Sequence, residues 1–403
     1  MSRFLFVVPP LVGHINPTIG LGAALAERGH EVAWAGHPEL ITRLVGTAQG
    51  QTQPTIFPCA VPQSATTERP ADLRGPAALK FLWEAFLIPL AEAMIPGVDA
   101  AVDAFTPDVL VVDQQAVAGA VVAERLGIPW ATSATTAAEL ADPLGGMPKV
   151  AAWVREMLLE LELKHGDPKA ASAARYQRTY GDLRFSSSLV LAYSSEELSG
   201  RHSELADILR YVGPSIAQRP SDPEFPWRAL PEPGAEPIVL ISVGTANVEA
   251  GGDFLRSCAQ AVSERPGIFA VIADPGAAIA EPPANALIAA HVPQLELLSR
   301  VSAVVCHAGQ NTVCETLYHG VPLVLAPIRD DQPIVAQQAV DAGVAERVRF
   351  GRARAEQIGA ALDKVLSQPG YRAAAERVAA SFKAAGGAQA AAHALIRLTE
   401  GSG

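Results

Sequence analysis

The densest set of groups able to do chemistry lies in segment 302–338, SAVVCHAGQNTVCETLYHGVPLVLAPIRDDQPIVAQQ. A buried strand over 302–306 delivers His307 to its C-terminal end. Ala308 and Gly309 keep the turn small and let a ligand approach the backbone. Gln310, Asn311 and Thr312 then open a helix. Unpaired N–H groups and the positive dipole end at a helix N-terminus bind phosphate. His307 and the Thr312 hydroxyl add donors for a diphosphate. Glu315, one turn further along on a similar face, can accept hydrogen bonds from a ribose diol. A second buried strand, 323–326, ends at Pro327 and runs into Arg329-Asp330-Asp331-Gln332. An acceptor carboxylate beside an amide at a strand's C-terminal end suits neighbouring sugar hydroxyls. Each residue also has a plainer reading: Asn311 and Thr312 cap a helix, Asp331 starts one, and Glu315 is a surface charge. All of these holding together in one short stretch is the less economical account.

A second pair stands apart. His14 follows the first strand in a loop, and Asp113 ends strand 108–113 at the same sheet edge. A histidine base works best when a carboxylate fixes its tautomer and stabilises the imidazolium. The two residues after Asp113 are the neutral amides Gln114 and Gln115, so Asp113 is the only acid at that strand end. The plainer alternatives are a loop histidine with a backbone partner and an aspartate capping the next helix. His30, His37, His165, His202, His319 and His393 have no matched carboxylate or motif and read as surface or structural.

Several chemistries are not written here. No G-x-G-x-x-G follows the first strand and no G-x-x-x-x-G-K-[ST] occurs, which argues against a nicotinamide-cofactor lobe or a P-loop. No Asp-x-Asp clamp for a metal-bound sugar nucleotide is present, so no metal ion is expected to take part. Cys59, Cys258, Cys306 and Cys314 form no C-x-x-C pair and read as free thiols.

The elements that must position these groups alternate strand and helix. Residues 3–8 form a strand and 9–16 a loop, with Pro17 in the first turn of a helix over 18–28 and strand 31–35 after it. Strand 108–113, helix 116–126 and strand 128–132 repeat the pattern. Another series begins with strand 238–243 and runs through helix 252–264, strands 268–273 and 286–289, helix 294–299, and on to helix 332–342. The tail over 371–398 is Ala-rich and helical. Such alternation implies parallel sheets with covered faces. Segments 60–100 and 139–182 break the pattern with Phe81, Trp83, Phe86, Leu87, Met94, Met147, Trp153, Met157 and Leu158, read as core packing first and ligand contact second.

With 403 residues, two domains are expected. The expected boundaries are 1–213 for an N-terminal lobe, 214–237 for a linker with seven prolines, 238–385 for a C-terminal lobe, and 386–403 for a terminal helix that has the option of packing back on the N-lobe. The net charge of −11 argues against nucleic acid or an anionic membrane as partner. No apolar run reaches the ~20 residues that span a bilayer, so a soluble, cytoplasmic protein is expected.

The 302–338 segment resembles the nucleotide-sugar signature of inverting UDP/dTDP-glycosyltransferases, a family holding bacterial natural-product and macrolide enzymes and, more distantly, plant secondary-metabolite enzymes. His291-Val292-Pro293-Gln294 resembles the aromatic-x-Pro-Gln element ahead of that signature. Ile241-Ser242-Val243-Gly244-Thr245 is similar to the Gly-Thr loop of the C-lobe. Pro10-Leu11-Val12-Gly13-His14-Ile15-Asn16-Pro17 is similar to the Gly-His-x-x-Pro entry of the N-lobe. The resemblance implies the GT-B fold: α/β, two doubly wound Rossmann-like lobes facing a central cleft.

By position it implies that His291 stacks on or flanks the base, with the Val292 backbone at the base edge and Gln294 in the same element. His307, Asn311 and Thr312 hold the diphosphate, beside Gly309 and Gln310. Glu315 holds the ribose, Asp331 and Gln332 the sugar hydroxyls, while Gly244 and Thr245 line the cleft. His14 is the base and Asp113 its partner. Two departures matter: Ala308 replaces a frequent glycine, acceptable unless the position needs a positive φ, and His291 replaces a larger aromatic. The Asp-Gln pair resembles that of glucose users. The implied activity is metal-independent inverting transfer of a hexose from a UDP- or dTDP-sugar to a hydroxyl or similar nucleophile of an apolar acceptor seated over the two insertions. The alternatives are a sugar-nucleotide epimerase of the same fold and a non-catalytic auxiliary protein.

Overall fold

A computed structural model of the chain describes residues 1–46, 54–63, 73, 75–141, 144, 146–166, 183–217, 224–232, 234–244 and 248–400. The chain divides into two compact units. The first holds Met1–Ser195, Arg201–Pro220 and Ala385–Gly403; the second holds Glu196–Gly200 and Ser221–Ala384.

The first unit is built on seven strands, β1 (Arg3–Val7), β2 (Glu31–Gly36), β3 (Thr55–Pro58), β4 (Val109–Asp113), β5 (Trp130–Ala134), β6 (Val190–Ala192) and β7 (Leu209–Tyr211), in the order β3-β2-β1-β4-β5-β6-β7. Every pairing is parallel. Parallel strands are covered on both faces, so their residues are apolar whichever way they point. Leu5, Val7, Leu110 and Val112 enter one core with Trp83, Leu87, Met94 and Leu158, whereas Phe4, Phe6, Val109 and Val111 enter the other with Ile15, Leu21 and Leu395. The strand order reverses between β1 and β4, and that is where an open α/β sheet leaves a crevice at its C-terminal edge.

The helix after β1 begins earlier than the sequence suggests. It spans Val12–Ala26, with Leu11 as an extended N-cap and Pro17 inside it. Position 14 is therefore in the first helical turn and not in a loop. Pro17 forgoes one bond to the carbonyl four residues back, a loss confined to the helix's second turn.

The first insertion is dominated by a helix over Gly75–Phe105, 31 residues long. Its Phe81–Leu87 stretch widens to π geometry just before Pro89, which relieves the clash between a proline ring and the preceding turn. By length and composition this helix is able to cross a membrane, which corrects the reading that no segment is long and apolar enough. Here Trp83, Leu87, Leu90, Met94 and Val98 are buried in the unit's own core. Phe86, Trp153 and Met157 pack partly buried against it, and Met147 is exposed.

The Ala-rich tail is two helices, Pro369–Ala385 and Gly387–Glu400, because Gly386 and Gly387 take φ of 87° and 59°. The chain turns there because glycine adopts such angles without strain. The last helix belongs to the first unit: Ala391, Ala392 and Leu395 lie in its core, and Arg28 meets His393 Nε2 at 3.2 Å.

The second unit carries β8 (Ile238–Ser242), β9 (Phe269–Ala273), β10 (Ala286–Ala289), β11 (Ala303–Cys306), β12 (Leu323–Leu325) and β13 (Ala345–Arg347), ordered β10-β9-β8-β11-β12-β13 and all parallel. Val239, Ile241, Ile272, Val305 and Val324 pack one face against helices Val248–Ser263 and Ala355–Ser367. This sheet reverses its order between β8 and β11. Each unit is thus a doubly wound Rossmann-like domain with its own crevice.

Candidate active site

In the first unit, His14 and Asp113 meet at the β1/β4 reversal. His14 Nδ1 lies 2.9 Å from Asp113 Oδ1 and 3.0 Å from Oδ2. Asp113 is wholly buried, and its Oδ1 also accepts the Gln115 backbone N–H at 2.8 Å. An ionised carboxylate accepts only, so the nitrogen facing both of its oxygens must carry a proton. That tautomer leaves the lone pair of the neutral ring on Nε2. Sequence reasoning missed a third member, Thr135, whose hydroxyl lies 2.8 Å from both His14 Nδ1 and Asp113 Oδ2. No local motif marks a threonine just past a strand; only the pairing of β4 with β5 brings it here.

In the second unit, Gly244 and His307 follow β8 and β11, the two strands at the reversal. The His307 ring sits between two glycines. A Cβ at position 244 would lie 2.6 Å from Cε1, and one at 309 would lie 2.5 Å from Nε2. Gly244 also takes φ 73°. Burial pushes the imidazole down to about 4, with a hydrogen bond to the Ser242 backbone offsetting part of that. The ring is therefore neutral near pH 7, with one N–H, one lone pair and no positive charge.

The helix Gln310–Tyr318 starts beside it. Gly309 is its N-cap in extended geometry, no side chain caps the end, and no acid lies in the first turn. The first-turn N–H groups thus point out of a helix end that carries no negative charge of its own. Asn311 and Thr312 are partly exposed there. The Gln310 side chain turns the other way: it is buried and its amide nitrogen meets Cys314 Sγ at 3.1 Å, so at this end the residue offers its backbone. Ala308 takes φ 66°, so the position does sit in the left-handed region that a glycine relieves.

Glu315 is 7% exposed and accepts a 2.6 Å hydrogen bond from Gln294 Nε2. The Pro-Gln element therefore orients the carboxylate on the next helix. His291 is exposed, and the Val292 carbonyl accepts the Gln294 N–H at 2.9 Å. Gln332 closes its own loop: its Oε1 accepts the backbone N–H groups of Ile328 and Arg329 at 2.9 and 3.1 Å. Its NH2 group is then what it can offer a sugar. Asp330 takes φ 56° as the chain turns into the helix Gln332–Asp341, and Asp331 is its N-cap residue. Thr245 lies outside the described residues.

Among the described residues, no three His, Cys, Asp or Glu side chains group as a metal site. The four cysteines are free and buried. Burial pushes the Cys59, Cys306 and Cys314 thiols up to about 12.

The family model described as "UDP-glucoronosyl and UDP-glucosyl transferase" matches residues 210–383. That span holds every proposed nucleotide-sugar residue of the second unit. Residues 210–383 are thus similar to nucleotide-sugar glycosyltransferases, and the two units have the GT-B fold. It is 25% identical to the NDP-glycosyltransferase YjiC of Bacillus subtilis over 95% of this chain and 94% of that one. It is 28% identical to the demethyllactenocin mycarosyltransferase of Streptomyces fradiae over 97% and 85%. Among solved structures, the calicheamicin glycosyltransferase CalG4 superposes with a TM-score of 0.78 at 20% identity over 99% of this chain and 98% of that one. The spinosyn rhamnosyltransferase SpnG, in its complex with spinosyn aglycone, gives 0.72 at 25% identity over 98% and 100%. SpnG has also been solved with thymidine diphosphate, giving 0.72 at 24% identity over 98% and 100%. These similarities support an enzyme of natural-product type that transfers a hexose from a nucleotide sugar.

Proposed function

We propose that this glycosyltransferase works by one inverting displacement, with His14 as the base and no metal ion. The donor is a UDP- or dTDP-hexose and the acceptor an apolar aglycone. The observation that carries the reading is the His14–Asp113 contact, because a proton held on Nδ1 leaves Nε2 to receive another.

The acceptor O–H bond breaks, and its proton passes to His14 Nε2. The acceptor oxygen bonds to the anomeric carbon on the face opposite the diphosphate. The bond from that carbon to the phosphate oxygen breaks, and its electron pair leaves with the diphosphate. Asp113 stabilises the imidazolium so formed. The leaving charge is met by the N-terminus of the helix Gln310–Tyr318, with the neutral His307 ring packed beside it. Glu315, held by Gln294, binds the ribose; Asp331 and the Gln332 NH2 group bind sugar hydroxyls. The SpnG complexes with thymidine diphosphate and with an aglycone support this choice of ligands.

The test is the anomeric configuration of the product. The enzyme is incubated with UDP- or dTDP-α-glucose and a phenolic aglycone, and the product is read by NMR. A β-linked glucoside is expected. An α-linked product, or donor epimerised without any acceptor, contradicts the proposal.

A further inference from the structure

We infer that Thr135 is a positioning residue for the His14 base, closing a three-way hydrogen-bond ring that fixes the imidazole tautomer. This rests on His14 being the base. The residue stands just past β5, whose register sets Ser133 against Asp113. A tight turn, Thr135 N–H to Ser133 O at 3.1 Å, folds the chain back at that point. The hydroxyl is thereby set over the edge of the carboxylate.

Proton counting gives the ring one arrangement. Three acceptor oxygens, Asp113 Oδ1 and Oδ2 and Thr135 Oγ1, surround His14 Nδ1 at 2.9, 3.0 and 2.8 Å. Thr135 has one proton and Asp113, when ionised, has none. Were Nδ1 a bare lone pair, that single proton would have to serve both it and Asp113 Oδ2. With the proton on Nδ1, each of these contacts is a donor facing an acceptor. Nδ1–H is shared among the three oxygens, and the Thr135 O–H goes to Asp113 Oδ2 at 2.8 Å. Asp113 Oδ1 takes the Gln115 N–H, so each carboxylate oxygen has a second donor and the group cannot rotate without losing one. Asp113 is fully buried and Thr135 is 4% exposed, so no solvent molecule substitutes freely for the hydroxyl.

A reciprocal pair of variants separates this from plain packing. Thr135→Val keeps the shape and loses the hydroxyl; Thr135→Ser keeps the hydroxyl and loses a methyl group. The expectation is a kcat about 10- to 100-fold lower for Thr135→Val, with the Kd for UDP or dTDP unchanged. Thr135→Ser should stay within about threefold of the parent. The 15N shifts of His14 in substrate-free protein should show Nδ1–H in the parent and in Thr135→Ser, and a mixture of tautomers in Thr135→Val. Full activity in Thr135→Val, or loss in Thr135→Ser with retention in Thr135→Val, overturns the inference. If Thr135→Val does not fold, the serine variant and the parent's 15N shifts decide: a parent His14 protonated on Nε2 overturns it. A fully active His14→Ala removes the underlying reading instead, whereas an inactive His14→Ala beside a fully active Thr135→Val removes only the role of Thr135.

Discussion

The His307 ring occupies the space where a side chain at position 244 would begin: a Cβ there would lie 2.6 Å from Cε1. Gly244 follows β8 and His307 follows β11, so the contact ties together the two strand ends at the reversal of the second sheet. Gly244→Ala adds a methyl group where the ring stands and forces φ 73° on a residue with a side chain. Both effects displace the imidazole. The expected result is a fall of at least about tenfold in affinity for UDP or dTDP by calorimetry. An unchanged affinity would remove the ring from diphosphate binding.

The partly buried imidazole of His307 also gives stability a pH dependence. In the unfolded chain a histidine titrates near its ordinary 6.5; in the fold His307 titrates at about 4. Between these values the unfolded state holds more protons, so stability rises with pH. The contribution is fully present above the unfolded value and is lost as pH falls through the folded one. Thermal unfolding followed from pH 7 to pH 4 should therefore show a steeper drop in Tm for the parent than for His307→Gln. Parallel curves would contradict a neutral, partly buried ring.

Ala308 tests how much the left-handed turn costs. A non-glycine residue in that region costs roughly 1–2 kcal/mol. Replacing it by glycine loosens the unfolded chain by about 0.4–1 kcal/mol and gives up about 0.8 kcal/mol of buried methyl. These terms nearly cancel, so Ala308→Gly should change stability by less than ~1 kcal/mol in chemical unfolding. A β-branched side chain suits φ 66° far less, and the site is fully buried. Ala308→Val should cost more than ~2 kcal/mol. Equal stability of the two variants would show that the backbone there is not constrained.

Much of the fold was legible because buried parallel strands read as unbroken apolar runs ended by glycine or proline. Segments 302–306 and 323–326 delivered His307 and Asp331 to strand ends on that basis alone. The start of the helix at Val12 was hidden by Pro17, which a local rule places in a first turn. Within the site, residue type was readable but the bonding was not. Gln332 looks free in the sequence, yet its carbonyl is taken by the backbone of Ile328 and Arg329. Gln310 looks like a ligand group and turns toward Cys314. Thr135 carries no signal at all, because its role comes from the lateral pairing of two strands.

The most direct measurement is turnover set beside donor affinity in His14→Ala. If His14 takes the acceptor's proton while the second unit holds the nucleotide sugar, kcat falls roughly 10²- to 10⁴-fold and the Kd for UDP or dTDP stays as in the parent. Unchanged turnover, or lost nucleotide affinity with kcat preserved, would contradict the account.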